Sequence, residues 1–180
     1  MNINSVKNAN YIGEFFLRKD DNPNFIGIKY AAGRDILANE DGRVYLICSD
    51  GVIKKIGGSQ SKGGIKSTIS FYINSMQGSP GKPRFIIHLL IRDELQKGRS
   101  CKIYMITSPK VNSQIKGLFS KISMPIAAFK EMEDLCKSDY FSRMKRYPDW
   151  NFQENNTDYP ENYSLQHVHY HEKRIKMKGR

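Results

Sequence analysis

Hydrophobic residues in this chain fall into short runs broken by turn residues, and the runs follow two different periods. The stretch "RVYLICSDGVIKKIGGS", residues 43–59, is rich in β-branched and aromatic residues and alternates as paired strands do. Asp50-Gly51 divides it, and both residues tolerate positive φ, which predicts a tight hairpin. Alternation places Tyr45 and Ile47 on one face of the first strand, with Val44, Leu46 and Cys48 on the other. On the second strand it places Lys55 with Ile53, and Lys54 with Ile56. Tyr45 and Lys55 are therefore expected side by side.

Elsewhere the period is helical or mixed. Ile65, Ile69, Tyr72 (or Phe71) and Met76 recur at helical spacing in "IKSTISFYINSM". "RFIIHLLIRDELQKG" reads as a helix stopped by Gly98. "CKIYMITS" (101–108) reads as a third strand. A long helix is expected over 125–147, with Pro125 in its first turn, where a missing N–H costs nothing. "YIGEFFLRK" fits a strand or a short helix, "KDDNPN" (19–24) a turn, and "RDILANEDGR" a short helix or turn. "KVNSQIKGLFSKIS" has no clear form, and 152–180 reads as a polar, aromatic tail. The order predicts an α+β fold: a small three-stranded antiparallel or mixed sheet flanked by helices. It divides the chain into an N-terminal extension (1–40), a central domain (41–151) with an insertion at about 58–83, and a basic C-terminal extension (152–180).

Composition narrows the class. The 180 residues are 39% hydrophobic and 26% charged, which suits a packed domain rather than a disordered chain. "FIIHLLI" is too short to cross a bilayer, and "MNINSVKNANYIG" lacks the apolar stretch of a signal peptide, so a cytoplasmic protein is expected. Cys48, Cys101 and Cys136 are odd in number and far apart, which argues against a disulfide framework or a Cys-rich zinc site. The 29 Lys and Arg against 18 Asp and Glu leave a net charge of +11, pointing to a polyanionic partner, most simply nucleic acid. The basic residues cluster at "KGGIK", "RMKR" and "EKRIKMKGR", so Lys62, Lys66, Lys82, Arg143, Lys145, Arg146, Lys173 and Arg174 are candidate DNA contacts. The loop at 57–64 lacks the spacing of a Walker motif. In "HVHYH", His167, His169 and His171 would share one face of a strand, with no matched acid or cysteine to complete a metal site.

Five segments in order resemble the GIY-YIG nuclease superfamily. "RVY" is similar to the first motif and "KIG" to the second, in the form carried by some restriction enzymes. Arg84 and His88 resemble the family's Arg-x3-His, Glu133 its metal-binding Glu, and "PDWN" its closing segment, with Asn151 as the conserved Asn. The chain departs from the pattern at Arg43, which replaces a Gly, and in the long segment between Gly57 and Arg84. Lys66 competes with Arg84 for the arginine role, and Glu131 with Glu133 for the metal ligand.

The resemblance implies a DNA endonuclease using one Mg2+ (or Mn2+) per site. Glu133 would hold the metal, Arg84 would fork onto phosphate oxygens, His88 would act beside it, and Tyr45 or Lys55 would activate water. Gly57 and Asn151 would support the site. A stand-alone restriction enzyme cutting both strands implies a homodimer or tetramer on DNA and a companion methyltransferase. The other readings are a non-catalytic nucleic-acid-binding module with the same fold, and a homing or repair-type nuclease.

Overall fold

The computed structural model describes residues 1–19, 25–108, 110–126 and 128–178. The expected turn at 19–24 lies, but for Lys19, outside them. Strands β1 (Asn10–Leu17) and β2 (Ile26–Tyr30) come first, then helix α1 (Arg34–Ala38). Strands β3 (Gly42–Ser49) and β4 (Val52–Ser59) follow, then α2 (Gly64–Ile73) and α3 (Lys82–Gln96). Next are β5 (Cys101–Ser108), β6 (Val111–Lys116), β7 (Lys121–Ile126), α4 (Phe129–Met144) and α5 (Glu161–Lys178).

The fold is α+β, as expected, but the sheet has five strands rather than three, in the order β2-β1-β5-β3-β4. Every pairing in it is antiparallel. The additional strands come from residues 1–40, which join the sheet through β1 beside β5. A Gly-containing "YIGEFFL" left strand and helix equally open in the sequence, and pairing with β5 decides it.

β3 is buried along its whole length because helices cover both faces of the sheet's centre. On one face Tyr45 and Ile47 pack with Ile69 and Tyr72 of α2 and Phe85 and Leu89 of α3. On the other, Val44, Leu46, Cys48, Ile53 and Ile56 pack with Tyr140 of α4. Arg43, which departs from the family pattern, is fully buried. Its guanidinium donates to Ser61 O, Asn39 O and Asp41 O at 3.1, 2.9 and 2.8 Å, tying the loop after β4 to the loop before β3.

The hairpin turns at Asp50 (φ 45°) and Gly51 (φ 76°), as the Asp-Gly pair demands. Ile47 faces Lys55 and Tyr45 faces Gly57, so Lys55 shares a face with Tyr45. Ile53 does not. The register shifts between Ile47 and Cys48, so that Cys48 pairs with Ile53 and Lys54 is the extra residue of a bulge. One inserted residue turns Ile53 to the α4 side, which strict alternation had assigned to Ile56 and Lys54.

β4 is an edge strand, and the "PDWN" segment covers its open side. Trp150 N–H donates to Lys54 O at 2.8 Å. The Asn151 amide accepts from Ile56 N–H at 2.9 Å and donates to Ile56 O at 3.0 Å, as a partner strand would. Lys54 Nζ closes the arrangement on Asp149 at 2.7 Å.

The expected helix over 125–147 begins later. Residues 125 and 126 end β7, opposite Asn112 and Val111, and α4 starts at Phe129. The tail is also not a strand or a free end: residues 161–178 form α5, which packs on α3.

Replacing Asn151 with Ala strips the buried N–H and C=O of Ile56 of their side-chain partner, so a stability loss of about 1–3 kcal/mol is expected in urea denaturation. Asn151→Asp keeps the acceptor and loses the donor, and is expected to fall between Ala and the wild type.

Candidate active site

A cleft of about 360 Å³ opens where β4, α3, α4 and the 150–159 segment meet. Tyr45, Lys55, Gly57, Arg84, Glu133 and Asn151 all line it, together with Tyr72, Lys137 and Glu154. Four distant segments thus deliver the motif residues to one place. Tyr45 arrives on β3, Lys55 on β4 two residues from the Gly57 opposite it, and Arg84 in the first turn of α3. Glu133 arrives from α4.

Two consecutive glycines make the floor. A Cβ on Gly57 would run into the Tyr45 hydroxyl, and a Cβ on Gly58 into a Glu133 carboxylate oxygen. The "IGG" ending of β4 is therefore a space requirement: each missing side chain leaves room for one of the cleft's polar groups.

Tyr45 and Tyr72 share a hydrogen bond of 2.6 Å between their hydroxyls. Burial, and then the neighbouring phenol, hold the Tyr45 proton well above the ordinary tyrosine range. Tyr45 is therefore a protonated phenol in this site. Lys55 moves the other way: burial pulls its ammonium below the usual lysine range, Glu154 opposes that and Lys137 adds to it. Among the described residues no carboxylate stands within ion-pair distance of Lys55 or Arg84. The Arg84 guanidinium stacks 4.1 Å above the Phe71 ring and remains open to solvent.

Lys137 and Glu154 are absent from the sequence reading. Lys137 Nζ lies 2.6 Å from Glu133 Oε1 and 2.5 Å from Glu154 Oε1. Burial opposes its charge, but the hydrogen bonds that it donates to both carboxylates outweigh that and raise its pKa. Lys137 follows Glu133 by four residues on α4, a spacing that was readable as a helical ion pair. Nothing local marks Glu154, which lies beyond the closing motif.

The remaining candidates separate clearly. His88 does not line the cleft: it is fully buried, with Nδ1 2.8 Å from Tyr72 O, and burial first of all lowers its pKa to about 4. Its four-residue spacing from Arg84 puts it below the surface rather than beside the guanidinium. It contacts the α2 backbone at Tyr72 and is not brought together with the other motif residues. Lys66 is exposed over the Tyr30 ring at 5.5 Å, away from the cleft, and Glu131 is exposed and does not line it. Lys62, Lys145, Arg143 and Lys173 are exposed, Arg146 pairs with Asp149 at 3.3 Å, and Lys82 lies over the Tyr159 ring at the cleft margin. Arg174 donates to the Tyr170 hydroxyl at 3.1 Å. The three histidines of "HVHYH" lie on a helix, so His167 and His171 share a face, with Nε2 atoms 3.0 Å apart beside Pro80 O, and His169 is exposed.

The α+β arrangement has a counterpart among solved structures. A solved structure of a bacteriophage T4 EndoII mutant matches at a TM-score of 0.54 and 16% identity, covering 84% of this chain and 98% of that one. The restriction endonuclease HPY188I in complex with product DNA matches at a TM-score of 0.45 and 14% identity, over 78% of each chain. The EndoII match carries the fold, and that fold is compatible with the GIY-YIG-like architecture that the motifs imply. No family model and no curated protein sequence matches the chain.

The two floor glycines are expected to respond differently. Gly57→Ala meets a buried, hydrogen-bonded phenol and should lower stability by about 1–3 kcal/mol. Gly58→Ala meets the end of a flexible side chain, so its melting temperature should stay close to wild type while Glu133 is displaced. Thermal denaturation of the two variants checks the contrast.

Proposed function

We propose that the protein is a metal-dependent DNA endonuclease of the stand-alone restriction kind, hydrolysing phosphodiester bonds in duplex DNA. The observation that carries this reading is the convergence of Tyr45, Lys55, Arg84 and Glu133 from four separate segments on one cleft. The net charge of +11 supports a polyanionic substrate.

The donor set suits a hard divalent cation. Glu133 and Glu154 aim oxygens at one cation position, held by the Lys137 ammonium, and carboxylate oxygens around a single such position fit Mg2+ or Mn2+. Glu133, with Glu154, would hold the ion. Such an ion would supply positive charge that offsets the negative charge building on the phosphoryl oxygens.

The chain's own groups divide the rest. Lys55 takes the proton of the attacking water through its uncharged form, which burial brings within easier reach. Protonated Tyr45, braced by Tyr72, donates a hydrogen bond and orients that water. Arg84 forks onto non-bridging phosphate oxygens, and its permanent charge favours the pentacovalent state over the ground state. Cutting both strands requires two such sites, hence two copies on the duplex. A companion methyltransferase would then protect the host's own sites.

One observation favours a second reading. The Lys137 ammonium neutralises Glu133, which suits a cleft that binds DNA without cutting it. Cleavage separates the two.

Supercoiled and linear plasmids are incubated with purified protein and Mg2+ or Mn2+. Discrete fragments are expected, with losses of about 100-fold or more in Glu133→Ala and Lys55→Ala. Salt-dependent binding with no cleavage under any of these conditions would leave the binding-module reading in place. A base works in its deprotonated form, so the single-turnover rate should rise with pH, along a limb centred below lysine's ordinary range. That limb should disappear in Lys55→Arg.

A further inference from the structure

β6 and β7 pair with each other in a separate two-stranded sheet. Gly117 N–H donates to Ser120 O at 2.8 Å and closes the turn, leaving Leu118 and Phe119 at its corners. Those two side chains are 93% and 101% exposed. Turn corners favour Asn, Asp and Gly, and neither backbone chemistry nor packing asks for Leu-Phe there. A bulky apolar pair held fully in water at the end of a ribbon points to a ligand.

The register sorts the ribbon's faces. Ile115 opposite Ile122 and Ser113 opposite Met124 form an apolar face. Gln114 opposite Ser123 and Lys116 opposite Lys121 form a polar one, which continues through Asn112. Residues 110–130 contain four lysines and no aspartate or glutamate. Two copies meeting through this arm would bring like charges together, whereas a polyanion complements them. A two-stranded ribbon fits the DNA major groove, Asn and Gln can read adenine edges, and apolar wedges unstack base steps.

We propose that the β6–β7 ribbon is a DNA-reading arm. It sets Asn112 and Gln114 against base edges and Lys116 and Lys121 on phosphates, and it presses Leu118 and Phe119 against a base step. The proposal rests on the nuclease reading and extends it, because that reading names no element that recognises bases.

The test measures binding of a labelled mixed-sequence duplex by fluorescence anisotropy in metal-free buffer, over a range of salt. Lys116→Ala/Lys121→Ala is expected to lower the slope of log affinity against log salt by about 2. Leu118→Ser/Phe119→Ser is expected to weaken binding about 5- to 100-fold with the salt slope unchanged, and to abolish the fluorescence rise of a 2-aminopurine placed in the duplex. Both variants alter exposed positions, and circular dichroism confirms that they fold. Wild-type binding matched by both variants would overturn the arm and leave the nuclease reading standing. A wild type that binds no duplex would overturn both. A tip variant that dissociates an oligomer in light scattering, with DNA affinity unchanged, would assign the ribbon to a second copy and overturn the proposal.

Discussion

Much of this molecule depends on one amide. Asn151 gives and takes a hydrogen bond at Ile56, in the middle of the edge strand that carries Lys55 on one side and Gly57 on the other. An edge strand held only from its inner side can fray or slip, and a slip of one residue would turn Lys55 out of the cleft. The clamp fixes the strand from its outer side, next to the residues whose placement matters. The bulge at Lys54 is part of the same solution. It hands Ile53 to the α4 core while Lys55 stays with Tyr45, and its displaced carbonyl is the one that Trp150 binds.

With the strand fixed, the cleft's electrostatics follow from burial and neighbours. Two of the lysines that line it are pushed in opposite directions. Lys55 is buried with no carboxylate at ion-pair distance among the described residues and its pKa falls, while Lys137 is buried with two carboxylates and its pKa rises. Chemically equivalent side chains are thereby shifted in opposite directions within one cleft. Tyr45 and Tyr72 form a third kind of group, a phenol pair that burial keeps protonated.

What the sequence made legible was mostly local. Asp-Gly set the hairpin, alternation put Lys55 beside Tyr45, and helical spacing located α2 and α3. The strand face survived a bulge that the pattern did not reveal, because the inserted residue lies between Ile53 and Lys55 rather than between Lys55 and Gly57. Long-range pairing was illegible: β1 and β2 are strands because of their partners, and α4 starts late because residues 121–126 pair with β6. Spacing also misled at His88, where four residues along a helix mean a shared stripe but not a shared depth. Glu154 had no sequence signal at all, since its role comes from Lys137 reaching across to it.

The covering of β4 has a further consequence. An open sheet edge is a template on which another chain can add a strand, and the segment ending in Asn151 takes up the backbone groups of Lys54 and Ile56 that such a strand would need. The same residues that steady the cleft therefore stop the sheet from growing on that side. Copies of the chain that meet there must do so through side chains rather than by extending the sheet.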